Sequence, residues 1–216
     1  MAKSARNLWT QKIVDGSVKT VSRGAVWTFE TLKAKAALTS GEKRKAALKE
    51  KNLRGSQMRG IVLGIDPSLR GTGLAAIEAM PDGSLRYIAS LTVRNEPKLN
   101  MAQCLARILE ETEKIIAQTN PVCVAIEQSV YVQNFKTALI LGSSRGAAIA
   151  AAARAGLDVF EYPPLRIKQA VIGYGRASKE QIMRSVAGIV AGAPLLPNDE
   201  ADACGAAIAH IFTHKI

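Results

Sequence analysis

Cysteine, histidine and aromatic residues are scarce in this chain of 216 residues, with three cysteines, two histidines and 5% aromatics. Cys104, Cys123 and Cys204 are an odd number without close spacing, and each lies in an apolar segment. We therefore expect buried free thiols and a reducing compartment, and no disulfide scaffold. His210 and His214 stand four apart, but no third zinc ligand is evident, so we interpret both as ordinary helix residues.

Long apolar runs are also absent from the sequence. No stretch of about 18 uncharged apolar residues occurs, and the N-terminus has no apolar signal core. The Ala-rich run over residues 146–153 is too short to cross a bilayer. We expect a soluble, non-secreted, cytoplasmic protein with no membrane partner.

Acidic residues are few, and the resulting positive charge is concentrated at one end. Residues 1–57 hold 13 Lys and Arg against 4 Asp and Glu, whereas residues 58–216 hold 16 against 14. The net charge of +11 therefore belongs mainly to the first quarter of the chain. A polyanionic partner is expected for such a segment, and nucleic acid is the natural candidate.

The composition divides the chain into residues 1–57, a basic N-terminal extension that we expect to be partly disordered, and residues 58–216, a folded domain. Trp9 and Trp27 in the extension could stack on bases while its Lys and Arg side chains contact DNA phosphates. Two other interpretations stay open. The extension could be a loosely ordered appendage, or a wrongly chosen translation start, since Met58 stands just before the first predicted core strand.

From residue 60 onward, hydrophobic periodicity and turn signals predict the element order βββαβαβα with two further helices before the last one. Pro81-Asp82-Gly83 is typical of a hairpin turn between the second and third strands. The predicted strands cover 60–66, 72–79, 85–93, 122–127 and 157–161, and the predicted helices cover 99–118, 134–155, 165–172, 178–191 and 198–213. The predicted fold class is α/β, a mixed five-stranded sheet whose first three strands are antiparallel, flanked by helices.

Four carboxylates stand out against this pattern. Asp66 and Glu127 each close a short apolar strand, while Asp199 and Asp202 share one face of the last helix. A carboxylate at the mouth of a buried strand needs a partner, and a divalent cation with oxygen ligands supplies one. Taken singly, each acid could equally cap a turn or pair with an arginine. Together, on the first strand, the fourth strand and the last helix, they indicate a ribonuclease H-like arrangement.

The ligand chemistry favours Mg²⁺, because all the candidate ligands are carboxylates and no Cys/His cluster accompanies them. Two such ions about 4 Å apart can activate a water on one side of a phosphodiester and stabilise the leaving oxygen on the other. The sequence therefore predicts a site with two Mg²⁺ ions, for which Mn²⁺ is a possible substitute.

At this level of detail, the region from Arg59 to His214 resembles the RuvC family of Holliday junction resolvases. The matching blocks occur in the order typical of the family and cover nearly all of the domain. They are Gly64-Ile65-Asp66-Pro67 with Arg70, Thr72 and Gly73; Ala125-Ile126-Glu127-Gln128; Ala138-Leu139 with Leu141-Gly142 and Arg145-Gly146; Phe160-Glu161-Tyr162 with Lys168-Gln169-Ala170-Val171 and Gly173; and Asp199-Glu200-Ala201-Asp202-Ala203 with Ala209-His210. The extension has no counterpart in this resemblance.

The resemblance implies a homodimeric, magnesium-dependent DNA endonuclease of recombination and repair that binds four-way junctions and cuts two opposed strands symmetrically. It also implies a bacterial, nucleoid-associated enzyme working beside a branch-migration motor. Carried over by position, the metal ligands and catalytic acids are Asp66, Glu127, Asp199 and Asp202, with Asp66 placed to bridge two ions. Lys168 and Lys179 match family lysines that serve activity or DNA contact, although surface lysines of no special function would look the same.

Two departures from the family pattern affect what is expected. Ser68 stands where relatives commonly have Gly, so the loop after Asp66 could be shaped differently. Val130 replaces a family aromatic that stacks within the junction, and Tyr131 or Phe135 could take over unless they belong to the core.

The predicted long helix carries several small residues, for which two interpretations stay open. They could allow close contact between two subunits, as the resemblance favours, or pack against the sheet of the same subunit. These residues are Gly142, Ser143, Ser144, Gly146, Ala147 and Ala148.

Three alternative functions need separate consideration. An actin-like or Hsp70-like nucleotide-binding domain would need a second phosphate loop and a longer chain. Another ribonuclease H-like nuclease would keep the same chemistry on a different substrate. A non-cleaving junction-binding module is disfavoured because all four acids are present, and a metal-free phosphate-binding surface would gain by losing them.

Overall fold

A computed structural model describes residues 58–128, 134–173 and 178–213, without the side chain of Lys179. The predicted extension over residues 1–57 therefore lies outside the described residues, as do Val130, Tyr131 and His214.

One mixed sheet of six strands forms the centre of the described domain. The strands are β1 (Gly60–Asp66), β2 (Gly71–Ala79), β3 (Leu85–Arg94), β4 (Cys123–Glu127), β5 (Val159–Tyr162) and β6 (Val190–Ala191). Their order across the sheet is β5-β4-β1-β2-β3-β6. β1, β2 and β3 pair antiparallel, whereas β4 and β5 extend the sheet in parallel with β1. The predicted fold class and the antiparallel first three strands are confirmed.

Five helices accompany the sheet within the described ranges: α1 (Met101–Thr119), α2 (Phe135–Arg154), α3 (Pro164–Ile172), α4 (Lys179–Ile189) and α5 (Asn198–Thr213). Their boundaries follow from capping chemistry. The Asn100 side chain caps α1 in a capping box with Gln103, and α1 ends at Asn120 in the left-handed conformation. Ser178 and Gln181 form a second capping box at the start of α4.

β6 differs from the sequence prediction, which had one helix over residues 178–191 and five strands in all. The helix ends at Ile189, and Val190 and Ala191 pair in parallel with Leu85 and Arg86 at the edge of β3. The apolar periodicity of a short helix end and of a two-residue strand cannot be told apart locally. Here the open edge of β3 pairs with Val190 and Ala191, so these two residues form a strand.

Side chains alternate along each strand between two apolar layers. On β1, Val62 belongs to the layer shared with α3, α4 and α5, whereas Leu63 and Ile65 belong to the layer shared with α1 and α2. α5 is the most deeply buried helix, with a continuous buried run over residues 203–211. Its small residues, mainly Ala and Gly, let it lie close to the sheet.

The three cysteines are buried free thiols, as predicted. Cys123 lies against His210, with 3.3 Å between Sγ and Nε2, and the Tyr162 hydroxyl lies 2.9 Å from Nδ1 of the same ring. His210 is buried on α5. Burial raises the pKa of the Cys123 thiol to about 12 and also raises the pKa of Tyr162, because the charged form of each group would lose its hydration.

None of the helices in the described part of the chain is both long and apolar enough to cross a membrane.

Candidate metal centre at the strand ends

Asp66 and Glu127 end two neighbouring parallel strands, β1 and β4. Ile65 is the register partner of Ile126, and each acid is the next residue on its strand. The two acids therefore lie side by side at the carboxyl edge of the sheet. Both acids point to the layer that contains α5. Ala125 and Val62 belong to that layer, and residues two or four apart on a strand share a face. The sheet therefore brings together the first two predicted ligands, both half-buried.

α5 carries the other two acids and lies directly on the sheet at two glycines. A Cβ at Gly64 on β1 would stand 1.9 Å from the backbone oxygen of Ala203, and a Cβ at Gly73 on β2 would stand 1.9 Å from that of Asp199. Any side chain at either position would push the helix away. The two glycines thus set how closely the first two turns of α5 approach the strand ends.

The register connects these contacts into one row across the sheet. Gly73 pairs with Asp66 on one side and with Thr92 on the other. Asp199 lies over this row at Gly73, and Asp202 follows three residues later, adjacent to the Ala203 contact with Gly64. The four predicted acids are therefore carried by three contiguous elements that meet at one edge.

Glu200, between the two acids of α5, is held by the third strand. Its carboxylate accepts hydrogen bonds from the Ser90 hydroxyl at 2.5 Å and the Thr92 hydroxyl at 3.0 Å. The Tyr87 hydroxyl lies 2.9 Å from Ser90 Oγ and extends the network. No role for Glu200, Ser90 or Thr92 was predicted from the sequence. An acid flanked by two predicted ligands and a Gly-x-Gly pattern in β2 are the signals that could have pointed to this close approach.

The loop after Asp66 does not need a positive φ at position 68, where relatives commonly have glycine. Asn120 is the single non-glycine residue with positive φ in the described ranges, so Ser68 adopts an ordinary conformation. The buried Thr72 hydroxyl donates to the Ser68 carbonyl at 2.5 Å and lies 3.2 Å from the Ser68 amide, which donates to it. The side chain of Thr72 therefore fixes the shape of this loop.

The donor chemistry of this edge fits a hard divalent cation, because its candidate ligands are carboxylates and its neighbours are backbone and hydroxyl groups. No group of three or more Asp, Glu, His or Cys side chains among the described residues is close enough together to hold an ion as the side chains stand. The backbone nevertheless brings the four acids to one edge of the sheet. Their role as metal ligands stays a prediction.

The two predicted lysines lie on neighbouring helices. Lys168 is half-buried on α3, which packs against α5 where a Cβ at Gly205 would meet Ile167 at 2.8 Å. Lys179 is the first residue of α4, and its side chain falls outside the described part of the structure. Their roles in activity or DNA contact also stay predictions.

The small residues of α2 differ in their exposure to solvent. Ser144 and Ala148 are buried, and Ala148 packs in the layer beneath the sheet. Gly142 and Gly146 are exposed, and a Cβ at either would meet no atom within 4 Å. At the beginning of the same helix Phe135 is 76% exposed and Leu139 is 54% exposed, so Phe135 does not belong to the core.

Comparisons with known proteins decide the family. The family profile described as "Crossover junction endodeoxyribonuclease RuvC" matches residues 62–210. This chain belongs to the RuvC family. The RuvC of Ruminiclostridium cellulolyticum is 39% identical over 160 residues, which covers 72% of this chain and 94% of the relative. The RuvC of Bordetella avium is 42% identical over 153 residues, covering 70% and 83%.

Solved structures agree with this family. Thermus thermophilus RuvC in complex with a Holliday junction substrate superimposes with a TM-score of 0.66 at 29% identity, covering 71% of this chain and 93% of that one. The yeast mitochondrial Holliday junction resolvase Ydc2, at a TM-score of 0.55 and 12% identity, shares the fold. The predicted resemblance and enzyme class are confirmed: the chain is a hydrolytic nuclease of the crossover junction endodeoxyribonuclease type, and the RuvC family depends on a divalent metal.

Proposed function

We propose that this RuvC chain resolves Holliday junctions by hydrolysing one phosphodiester in each of two opposed strands, with Asp66, Glu127, Asp199 and Asp202 as the residues that carry the reaction. The arrangement of the strand ends supports this most directly. Asp66 lies between Glu127 on β4 and Gly73 on β2, and the backbone of Asp199 packs on Gly73. Three elements distant in sequence meet there with acids from each. Recombination and repair are the processes that require such an enzyme.

The proposed cofactor is Mg²⁺, two per site, held by the four carboxylates and replaceable by Mn²⁺. Bound there, it would supply an activated water and a counter-charge for the leaving oxygen. Asp66 is the central ligand, because its strand lies between β4 on one side and β2 beneath α5 on the other. Glu127 would hold one side of this centre, and Asp199 and Asp202 the other.

The protein groups around this edge orient the reacting phosphodiester and limit its freedom. The loop shaped by Thr72 begins directly after Asp66 and is tied to the following segment by Arg70, whose guanidinium donates to the Glu96 carbonyl at 2.6 Å. A fixed loop beside the acids lowers the entropy cost of placing the phosphate. Lys168 and Lys179, on the helices next to α5, would contact DNA phosphates.

A homodimer is the proposed form of the enzyme, since two symmetric cuts need two sites. The exposed face of α2 that carries Leu139, Gly142 and Gly146 supports this arrangement, because small residues let two helices approach closely. At the beginning of the same helix, the exposed ring of Phe135 is available to stack on a base at an opened junction.

Further partners follow from the same proposal. The basic residues 1–57 would add non-specific phosphate contacts around the junction, and a branch-migration motor would act on the same DNA. The proposed location is the bacterial cytoplasm, at the nucleoid.

The test is a gel assay of the full chain on a synthetic mobile four-way junction, with and without Mg²⁺, beside linear duplex of the same sequence. We expect paired symmetric nicks only on the junction, and only when Mg²⁺ is present. Binding without nicks would indicate a non-cleaving junction-binding module. Cutting of every substrate would indicate a less selective ribonuclease H-like nuclease.

A further inference from the structure

Glu200 lies between two proposed metal ligands yet is turned away from them toward β3. Its two carboxylate oxygens accept hydrogen bonds from Ser90 and Thr92, at 2.5 Å and 3.0 Å. These two hydroxyls stand two residues apart on one face of the strand, so they engage the carboxylate from the same side. Because both of its oxygens accept hydrogen bonds from β3, the carboxylate of Glu200 fixes α5 to that strand.

The first two turns of α5 thereby contact three adjacent strands. Glu200 is bound to β3, the backbone of Asp199 lies on Gly73 of β2, and the backbone of Ala203 lies on Gly64 of β1. The glycine contacts are repulsive limits on approach, whereas the hydrogen bonds of Glu200 are attractive. The register makes Thr92 the partner of Gly73, and Gly73 the partner of Asp66, so the fixed point and Asp66 belong to one row.

We infer that Glu200 is a positioning residue for the metal centre, acting through Ser90 and Thr92 to hold the beginning of α5 where Asp199 and Asp202 can reach the ions. This inference rests on the proposed function, because it assumes that those two acids are ligands. The first turn of a helix is the part most prone to fray, since its amides lack partners within the helix. Without the anchor on β3, the two ligands would sample more positions and bind the ions less tightly.

The central variant is Glu200→Ala, which removes both hydrogen bonds. Glu200→Gln is its conservative counterpart, because the amide oxygen can accept from one hydroxyl while the amide nitrogen donates to the other. Thr92→Val removes one donor from the opposite side. The matched control is Glu78→Ala, which breaks a hydrogen bond of 2.9 Å from Arg86 Nε to Glu78 at the far end of the same β2–β3 pairing.

Two measurements do not depend on cleavage. Calorimetric titration of Mn²⁺ into the full-length protein should show a Kd raised about 10- to 100-fold in Glu200→Ala, as for loss of other groups that support metal ligands. Amide hydrogen exchange over residues 201–206 of the metal-free protein should be at least severalfold faster in the same variant. Glu200→Gln should recover most of both properties, Thr92→Val should fall between, and Glu78→Ala should match the original chain.

The cleavage assay separates positioning from chemistry. Junction cutting by Glu200→Ala should need about 10- to 100-fold more Mn²⁺ for half-maximal rate, reach nearly the original rate at saturation, and leave junction affinity without metal unchanged. Glu200→Ala behaving like Glu78→Ala in exchange and Mn²⁺ affinity would overturn the inference. A second result would also overturn it: Glu200→Gln binds Mn²⁺ as weakly as Glu200→Ala does, while amide exchange is unchanged in both variants. Glu200 would then be a metal ligand itself.

Failure of the proposed function gives a different pattern. If the original chain cuts no junction but Mn²⁺ affinity and exchange follow the expected order of variants, the positioning role of Glu200 stands and the assigned substrate is wrong. If the original chain cuts junctions and the Glu200 variants do not differ from the control, the substrate stands and the positioning role is wrong.

Discussion

Gly73 lies directly beneath the backbone carbonyl of Asp199, so that a Cβ on Gly73 would stand 1.9 Å from that oxygen. Asp66 is the register partner of Gly73 on β1. Together with Gly64 on β1, Gly73 therefore sets how closely the helix that carries two proposed ligands approaches the strand that carries the central one. A close approach of this kind has no space for a side chain, and its effect on the site can be measured.

Gly73→Ala should impair cleavage because the methyl group must push the first turn of α5 away from the strand ends. Overpacking of this kind costs about 1–3 kcal/mol of folding free energy, measured by urea unfolding. Junction cutting should fall by at least about tenfold, beyond what the lost stability explains, because a small misplacement of reacting groups is costly. Gly188→Ala on α4 is the control, since a Cβ there meets no atom within 4 Å. Equal rates in the two variants would contradict the role of Gly73.

Asp66→Asn should abolish junction cutting while junction binding survives. The change keeps the size of the side chain and removes the charge that holds a divalent ion, so the loss should exceed about a hundredfold in rate. Binding is measured by gel shift and cutting by gel assay in Mg²⁺. Glu111→Gln, in an exposed pair with Lys114, is a charge-matched control that should change neither. Normal cutting by Asp66→Asn would show that the site is assigned wrongly.

Phe135→Ala should weaken the opened form of the junction. Stacking of one aromatic ring on a base contributes about 1–3 kcal/mol. Fluorescence of 2-aminopurine at the junction centre reports unstacking of the bases, and it should increase less on binding of the variant. Phe135→Trp keeps a stacking surface and should behave like the original chain. An unchanged signal in Phe135→Ala would assign the stacking role to another residue.

Leu139→Asp should convert the proposed dimer to monomers, because a charge on an apolar face of a subunit interface is costly to bury. Light scattering coupled to gel filtration measures the mass directly. Leu195→Asp is the control, since Leu195 is 69% exposed on the segment before α5, outside the proposed interface helix. A monomeric original chain, or a dimeric Leu139→Asp, would contradict the proposed use of this face.

The buried thiols of Cys123 and Cys204 should make the protein less stable at alkaline pH. Burial raises the pKa of each to about 12 from the ordinary value of 9.0, so the unfolded chain releases these protons at lower pH than the folded one. The free energy of unfolding is therefore unaffected below about pH 9 and falls between about pH 9 and 12, by up to about 1.4 kcal/mol per thiol and pH unit. Urea unfolding at pH 7.5, 9 and 10 measures the slope.

A variant that combines Cys123→Ala and Cys204→Ala tests the cause of this slope. It will be less stable at every pH, but its stability should fall less steeply above pH 9. The same slope in both proteins would assign the alkaline loss of stability to other groups, such as the buried Tyr162, whose pKa is also raised.

Much of the fold could be predicted from the sequence because its elements are long and periodic. The order of the first five strands and all five helices agrees with the structure, with boundaries displaced by a few residues. β6 was missed because two residues carry no periodicity of their own. The exposed position of Phe135 was left open for a related reason: an isolated aromatic gives no sign of whether a neighbouring element covers it.

The sequence by itself determined which carboxylates end the strands, which two share a helix face, and the motif order that places the chain in the RuvC family. These properties follow from residue types and their order along the chain, so they can be read without knowing which elements pack together. The tertiary structure alone decided that Gly64 and Gly73 receive the backbone of α5 and that Ser90 and Thr92 hold Glu200. Such contacts join positions more than 100 residues apart, and only the packing of a helix across a sheet brings them within hydrogen-bond or van der Waals distance.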